Sequence, residues 1–154
     1  MHDSKIIKTQ YVKGDALQLF EYGNYDVLVH GCNCFHRMGS GIAKQIAQRW
    51  PKVVDADRAT EYGDINRLGS FTHYSLTPTK HVVNLYTQYT YGITPEVKVH
   101  YASLRQGLIS IARYFGLNTA IIMPWIGCGL AGGDTNTVRN IVEASGLNIT
   151  IAEL

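Results

Sequence analysis

Apolar and polar positions along this chain follow two periods, and the changes between them divide it into strands and helices. The run at 26–29, in which Val27, Leu28 and Val29 are consecutive, is typical of a strand buried on both faces. Between 101 and 115, apolar residues instead recur every three or four positions, which predicts a helix. By the same criteria we predict strands at 6–12, 26–29, 70–76, 81–86, 119–123 and 147–151, and helices at 16–20, 40–50, 53–62, 101–115 and 135–144.

This interleaving of strands and helices predicts an α/β fold whose sheet is covered on both faces. Residues 1–154 are expected to form a single domain, because a chain of 154 residues can build one sizeable core. In open α/β sheets, ligands bind beyond the carboxyl ends of the strands. The loops at those ends are therefore the first places to look for a binding site.

Two glycine-rich runs follow predicted buried strands and precede predicted helices. The first covers 31–43, and the second covers 125–134. A loop between a strand and a helix brings backbone N–H groups towards a phosphate, and the helix N-terminus favours its negative charge. The alternative is that the glycines only make tight connections. Neither run has the Gly-Lys-Ser/Thr of a Walker loop, and neither matches the dinucleotide-binding fingerprint.

Composition and charge narrow the class of protein. Hydrophobic residues make up 45% of the chain and charged residues 17%, as in a compact globular domain. The net charge of +2 comes with scattered basic residues and does not indicate a nucleic-acid partner. Cys32, Cys34 and Cys128 have neither the number of a disulfide framework nor the spacing of a zinc site, so we expect no metal and no cofactor. No run has the length and apolarity of a signal or membrane segment, so a cytoplasmic monomer is expected.

Four segments together resemble the macrodomain family. They are Gly14-Asp15, Asn33 followed by 38–43, the run 84–88, and the run 126–134 with its Gly-Cys-Gly-Leu-Ala-Gly-Gly-Asp sequence. The resemblance implies a three-layer α/β/α fold with a central, mostly parallel mixed sheet, and a pocket for ADP-ribose. It is strongest to the small stand-alone branch that includes ADP-ribose 1″-phosphate phosphatases and an ADP-ribosyl-glutamate hydrolase.

The resemblance also implies a position for each ligand-binding residue. Asp15, with Ala16 beside it, would accept a hydrogen bond from the adenine amino group, although an aspartate there is also an ordinary helix N-cap. Asn33 would contact the distal ribose. Gln88 and Tyr89 lie in a loop that could close over the ligand. The diphosphate and distal ribose would be lined by Gly39, Ser40, Gly41 and Ile42 on one side and by Ile126, Gly127, Cys128, Gly129 and Leu130 on the other.

Hydrolysis at the distal ribose requires a positioned water and a base, or a nucleophile and an acid. The candidate catalytic residues are Asp134 as general base, Asn33, and His36 as general acid or phosphate ligand. Asp134 has a second interpretation as the N-cap of the helix that follows, and His36 as a solvated loop residue. Cys34 is not favoured as a nucleophile, because the loop lacks a phosphate cradle that would activate its thiolate.

Two departures from the glutamate hydrolase bear on the reaction. That relative has a lysine where this chain has Gln88 and an aspartate where it has Ala131. A mechanism through a lysine adduct therefore lacks both of its groups. The sequence favours a phosphatase acting on ADP-ribose 1″-phosphate. The alternatives are a hydrolase of ADP-ribosyl esters on proteins or nucleic acid, and a module that only binds ADP-ribose.

Overall fold

A computed structural model describes residues 9–92, 96–129 and 131–154, and within these ranges strands and helices alternate. The strands are β1 (Gln10–Lys13), β2 (Val27–Cys32), β3 (Phe71–Thr77), β4 (Lys80–Tyr86), β5 (Ile121–Met123) and β6 (Ile149–Glu153). The helices are α1 (Ala16–Tyr22), α2 (Gly41–Arg49), α3 (Pro51–Arg58), α4 (Tyr101–Phe115) and α5 (Thr135–Ala144), with a short 3-10 helix at Ile65–Arg67.

The strands form one mixed sheet in the order β1-β6-β5-β2-β4-β3. Every neighbouring pair is parallel except β3 and β4, which are joined by a tight turn and run antiparallel. β2 and β5 lie side by side and parallel, with Val27 opposite Ile121. The loops that leave their carboxyl ends are therefore neighbours at the same edge of the sheet.

Helices cover both faces of this sheet. Alternate side chains of each strand point to opposite faces, so one strand contributes to the core on both sides. Val27 and Val29 of β2 belong to a buried cluster with Leu108 of α4. Leu28, between them, belongs to a second cluster with Phe20 of α1. The predicted three-layer α/β/α fold with a mostly parallel sheet is confirmed.

The elements differ from the sequence prediction mainly at their ends. Residues 1–8 lie outside the described residues, and the first described strand runs from Gln10 to Lys13. The predicted strand at 26–29 continues to Cys32 and so includes the start of the first glycine run. The helix predicted at 53–62 begins at Pro51, which occupies its first turn, and ends at Arg58. Ser40 is the N-cap residue of α2, although its side chain makes no capping hydrogen bond.

Candidate functional site

The two glycine-rich runs face each other across one cavity, which we call the loop cavity. It has a volume of about 460 Å³, within the usual range for small-molecule sites, and it lies beyond the carboxyl ends of β2 and β5. Its described wall consists of Gly31, Asn33, Arg37, Gly39, Ser40, Gly41, Ile42, Ala43, Gln88, Tyr91, Gly92, Pro124, Trp125, Ile126, Gly127, Gly129 and Ala131.

Asn33 organises the first run from within. Its Oδ1 accepts a hydrogen bond from the backbone N–H of Phe35 at 2.9 Å, and its Nδ2 donates to the carbonyl oxygen of Arg37 at 2.9 Å. The side chain is 7% exposed and lines the cavity. An amide nitrogen carries two N–H groups, and this bond uses one of them. Asn33 thus shapes the loop and still presents polar atoms to a ligand.

The base of the first run rests on a buried arginine. Arg67 is 9% exposed and donates from Nη1 to the carbonyl oxygens of Cys34, at 3.2 Å, and Glu61, at 2.6 Å. Its guanidinium carbon lies 4.2 Å from the centroid of the Tyr86 ring, and Nη2 lies 3.6 Å from Oδ1 of Asp57. This buried charge fixes the backbone on which the loop begins.

The second run contains glycines of two kinds. Gly127 has φ +77°, and a Cβ there would lie 2.4 Å from a methyl group of Val99, so this glycine is required by the turn and by its packing. A Cβ at Gly129 would meet nothing within 4 Å, and the same holds for Gly39 in the first run. Gly39 and Gly129 therefore leave open space along the cavity wall.

The described wall of the loop cavity carries a positive side-chain charge and no negative one. Arg37 is the one charged side chain among the described residues that line the cavity. Its guanidinium carbon lies 4.7 Å from the centroid of the Tyr91 ring. None of the described lining residues is a carboxylate, a histidine, a lysine or a cysteine. The cavity suits an anionic ligand, and its described wall offers no side chain that titrates near neutrality.

The structure brings together a large part of the predicted ligand-binding set. Of the predicted residues, those that line the loop cavity are Asn33, Gly39, Ser40, Gly41, Ile42, Gln88, Ile126, Gly127 and Gly129. Those that do not line it are Asp15, Ala16, His36, Tyr89, Cys128 and Asp134. Leu130 lies outside the described residues.

Asp134 has the geometry of a helix cap. It is the N-cap of α5, and its Oδ2 accepts from the backbone N–H of Thr137 at 2.9 Å and from the Thr137 hydroxyl at 2.8 Å. These bonds, led by the hydroxyl, lower the pKa of the exposed carboxyl. A lowered pKa makes a carboxylate a weaker base. The general-base role stays a prediction, and the capping role is what the contacts show.

His36 and Tyr89 are turned away from the cavity. His36 has φ +57°, and its Nε2 lies 3.1 Å from the carbonyl oxygen of Thr60, which follows the end of α3. The Tyr89 hydroxyl donates to the carbonyl oxygen of Gly63 at 3.1 Å. Both side chains hold the outside of the first run, and their predicted ligand contacts stay untested.

Asp15 caps α1 and is two residues away along the chain from the wall of a second cavity. Its Oδ1 accepts from the backbone N–H groups of Leu17 at 2.8 Å and Gln18 at 3.3 Å. Lys13, two residues earlier, lines a second cavity of about 590 Å³, which we call the β6 cavity and which also includes Cys128 and Glu153. The β6 cavity and the loop cavity share Pro124, Trp125 and Gly129. An extended ligand in the loop cavity could therefore reach the side of the sheet where Asp15 lies.

The three cysteines are poor nucleophiles in this structure. Burial is the main cause that raises the pKa of Cys34 and Cys128, and it raises that of Cys32 well above the usual thiol value. A thiol reacts as its thiolate, and a raised pKa leaves little thiolate at neutral pH. The geometry agrees with the sequence argument against Cys34 as a nucleophile.

The predicted catalytic and ligand-binding residues do not include Arg37, Tyr91 or Trp125, which line the cavity. Arg37 and Trp125 lie within the two glycine-rich runs, so membership of those runs was a usable signal. The Trp125 indole Nε1 donates to Oε2 of Glu153 at 2.9 Å, which holds the ring between the two cavities. Tyr91 joins the wall only because the segment after β4 folds back onto Arg37.

The described residues lack the features of a metal site and of a membrane-spanning helix. They contain no cluster of three or more histidine, cysteine, aspartate or glutamate side chains placed to hold a metal ion. No helix in the described ranges has both the length and the apolar character needed to cross a bilayer.

Comparisons with known sequences give one full-length relative and one local match. No protein-family model matches the chain. An uncharacterised 17.5 kDa protein of Enterobacteria phage T4, from the tk-vs intergenic region, is 36% identical over 94% of this chain and 95% of its own length. An ADP-ribose 1″-phosphate phosphatase of Saccharomyces cerevisiae is 48% identical over 43 residues, which are 28% of this chain and 23% of the yeast protein.

Comparisons with solved structures agree on the fold. The macrodomain of Mycobacterium tuberculosis DarG superimposes with a TM-score of 0.74 at 22% identity, covering 95% of this chain and 97% of that one. Thermosipho africanus DarTG in complex with ADP-ribose superimposes with a TM-score of 0.64 at 19% identity, covering 84% of this chain and 38% of that one. The chain therefore belongs to one family with the phage T4 protein, and it has the fold of the macrodomains.

Proposed function

We propose that this protein binds ADP-ribose, with the diphosphate between the two glycine-rich runs. The observation that carries the proposal is the pairing of the runs across one cavity, with open space at Gly39 and Gly129. Backbone N–H groups at such positions can approach a phosphate closely. The described wall carries no negatively charged side chain that would repel the diphosphate. The structure of Thermosipho africanus DarTG in complex with ADP-ribose, of which 38% superimposes on this chain, supports this choice of ligand.

The layout of the sheet supports one orientation of the ligand. Asp15 follows β1 at one edge of the sheet, whereas Asn33 and Arg37 follow β2, three strands further across. One oxygen of Asp15 caps α1, and its carboxylate has a second oxygen that can take the adenine amino group. The adenine then lies towards the β6 cavity and the distal ribose towards Asn33.

Calorimetric titration of the purified protein with ADP-ribose tests this proposal. We expect saturable binding of one ADP-ribose per chain and much weaker binding of free ribose 5-phosphate, which lacks the diphosphate and the adenosine. Absence of ADP-ribose binding at protein concentrations in the upper micromolar range would refute it.

We further propose hydrolysis of ADP-ribose 1″-phosphate as the reaction, favoured by the local match to the yeast phosphatase of that name. Of the three candidate catalytic residues, Asn33 lines the cavity and can position a water or the phosphate. Asp134 would first have to break its hydrogen bond with Thr137, and His36 would have to break its hydrogen bond with Thr60. Phosphate release is therefore expected to depend most strongly on Asn33.

Release of inorganic phosphate from ADP-ribose 1″-phosphate distinguishes the phosphatase hypothesis from the alternatives of an ester hydrolase and a binding module. We expect release by the wild-type protein, a large loss in Asn33→Ala, and retained activity in His36→Ala. If ADP-ribose binds but no phosphate is released at high protein concentration, the proposal of phosphatase activity is wrong. Release of ADP-ribose from ADP-ribosylated protein or nucleic acid would then indicate an ester hydrolase. If ADP-ribose were released from neither, the protein would be a module that only binds ADP-ribose.

A further inference from the structure

Arg37 and Tyr91 form a pair in the wall of the loop cavity. They come from different segments, the first glycine-rich run and the loop that follows β4, and both line the cavity. The guanidinium carbon lies 4.7 Å from the ring centroid, within the range of a cation–π contact. Tyr91 is 40% exposed, so the pair lies at the solvent-accessible rim rather than in the core. The wall therefore carries an accessible cation that is in contact with an aromatic ring.

The position of this pair in the sheet decides which part of the ligand it meets. Arg37 follows β2 and Tyr91 follows β4, whereas Asp15 follows β1 on the far side of β6 and β5. With the adenine towards Asp15, as in the proposed function, the pair lies beyond the distal ribose. Whatever substituent that ribose carries will come next to Arg37.

We propose that Arg37, positioned by Tyr91, selects a phosphate carried on the distal ribose, so that the cavity prefers the phosphomonoester of ADP-ribose to ADP-ribose itself. This inference rests on the proposed function and extends it to ligand preference. A guanidinium offers a planar fork of N–H donors that matches two phosphate oxygens. The contact with the ring of Tyr91 restrains the guanidinium without using its in-plane donors.

The diphosphate and the terminal phosphate are then recognised by different groups. The diphosphate meets the backbone of the glycine-rich runs, which is uncharged and is not changed by substituting Arg37. The terminal phosphate meets the one charged side chain of the described wall. Substitution of Arg37 should therefore change the preference between two ligands more than the affinity for ADP-ribose.

The preference is measured with two ligands that the protein cannot turn over. One is ADP-ribose, and the other is its 1″-phosphonate, in which a methylene group replaces the ester oxygen. The wild-type protein is expected to bind the phosphonate about tenfold more tightly or better, the size of a charge-assisted hydrogen bond. In Arg37→Gln the two affinities should become equal within about threefold, with ADP-ribose affinity retained.

Arg49→Gln is the matched control. Arg49 is also an arginine near an aromatic ring, with its guanidinium carbon 5.7 Å from the Trp50 ring centroid, but it is at the far end of α2 and does not line the cavity. This variant removes the same charge and should keep the full preference. An uncharged 1″-methyl glycoside, which is expected to bind no better than ADP-ribose, separates charge from size.

Tyr91 is tested as a positioning residue by two substitutions. Tyr91→Phe keeps the ring face and should keep the preference, whereas Tyr91→Ala should reduce it while Arg37 is still present. Equal wild-type affinities for the two ligands, or a preference that survives in Arg37→Gln, would overturn the inference while leaving ADP-ribose binding intact. Failure of the wild-type protein to bind either ligand would overturn the proposed function as well.

Discussion

At the residue scale, substitutions of single glycines distinguish effects on folding from effects on ligand binding. Gly129→Ala adds a methyl group where nothing lies within 4 Å, so the melting temperature should stay close to that of the wild type. Because Gly129 lines the cavity, we expect ADP-ribose binding to weaken by about tenfold or more, the loss of roughly one hydrogen bond to a charged group. Thermal unfolding and calorimetry on the same preparation measure both effects.

Gly127→Ala is the contrasting variant in the same loop. Its φ is +77° and its Cβ would lie 2.4 Å from Val99, so this substitution should lower the melting temperature as well as binding. If Gly129→Ala bound ADP-ribose as tightly as the wild-type protein, close approach of a phosphate at this position would be refuted.

Asp134 provides a second test at the residue scale, which distinguishes its role as a helix cap from a role as a general base. Asp134→Ala removes the acceptor for both Thr137 donors and should lower the melting temperature by several degrees. Asp134→Asn keeps a capping oxygen and should restore most of that stability. The folded-state pKa of Asp134 is lowered, so its stabilising effect is complete at neutral pH and is lost as the pH falls through the folded-state value. Loss of phosphate release in Asp134→Asn with unchanged stability would instead support the general base.

Single residues also show how far sequence reasoning could reach. The place of the two glycine-rich runs on one cavity was predictable, because both follow the carboxyl ends of buried strands, and Asn33 was identified by the resemblance to the macrodomain family. The directions of His36 and Tyr91 were not predictable, because they depend on a positive φ and on how a loop folds back. Such features arise from tertiary contacts rather than from local pattern.

At the scale of elements, the pair of strands β2 and β4 carries a buried titratable contact. His30 and Asn84 are register partners, and His30 Nε2 donates to Asn84 Oδ1 at 2.6 Å in the neutral ring. Both side chains are fully buried, and burial lowers the pKa of His30 from 6.5 to about 4. At pH values between these two, the unfolded chain takes up a proton that the folded chain excludes.

We therefore expect the free energy of unfolding to fall as the pH decreases from 6.5 to 4. The loss due to His30 is on the order of 3 kcal/mol over this range, from the shift between 6.5 and about 4. Urea unfolding at a series of pH values measures it. His30→Gln, which can still donate to Asn84, should remove this part of the pH dependence. An unchanged slope in His30→Gln would contradict the assignment.

Elements themselves were predictable where the periodicity was strong. The helix expected at 101–115 is α4, Tyr101–Phe115, and it is followed by Gly116 with φ +117°. β2 was predicted to end at Val29 but continues to Cys32, because Gly31 lets the strand pass between Thr87 and Ile126. A Cβ at Gly31 would lie 2.8 Å from side-chain atoms of both, and a close approach of this kind leaves no mark in hydropathy.

At the scale of the whole molecule, the order of the strands decides where the site is. Alternating strands and helices predict a covered sheet, but they do not predict that β5 and β2 are neighbours. That adjacency places two runs separated by more than 80 residues on one cavity. The strand order also separates Asp15, after β1, from Arg37, after β2, by three strands, and the proposed orientation of the ligand rests on that separation.

A crystal structure of the complex with ADP-ribose tests this account most directly. We predict the diphosphate between the run at 39–42 and the run at 126–129, the adenine towards Asp15, and the distal ribose beside Asn33 and towards Arg37. A ligand outside the loop cavity, or one bound with its adenine at Arg37, would contradict it.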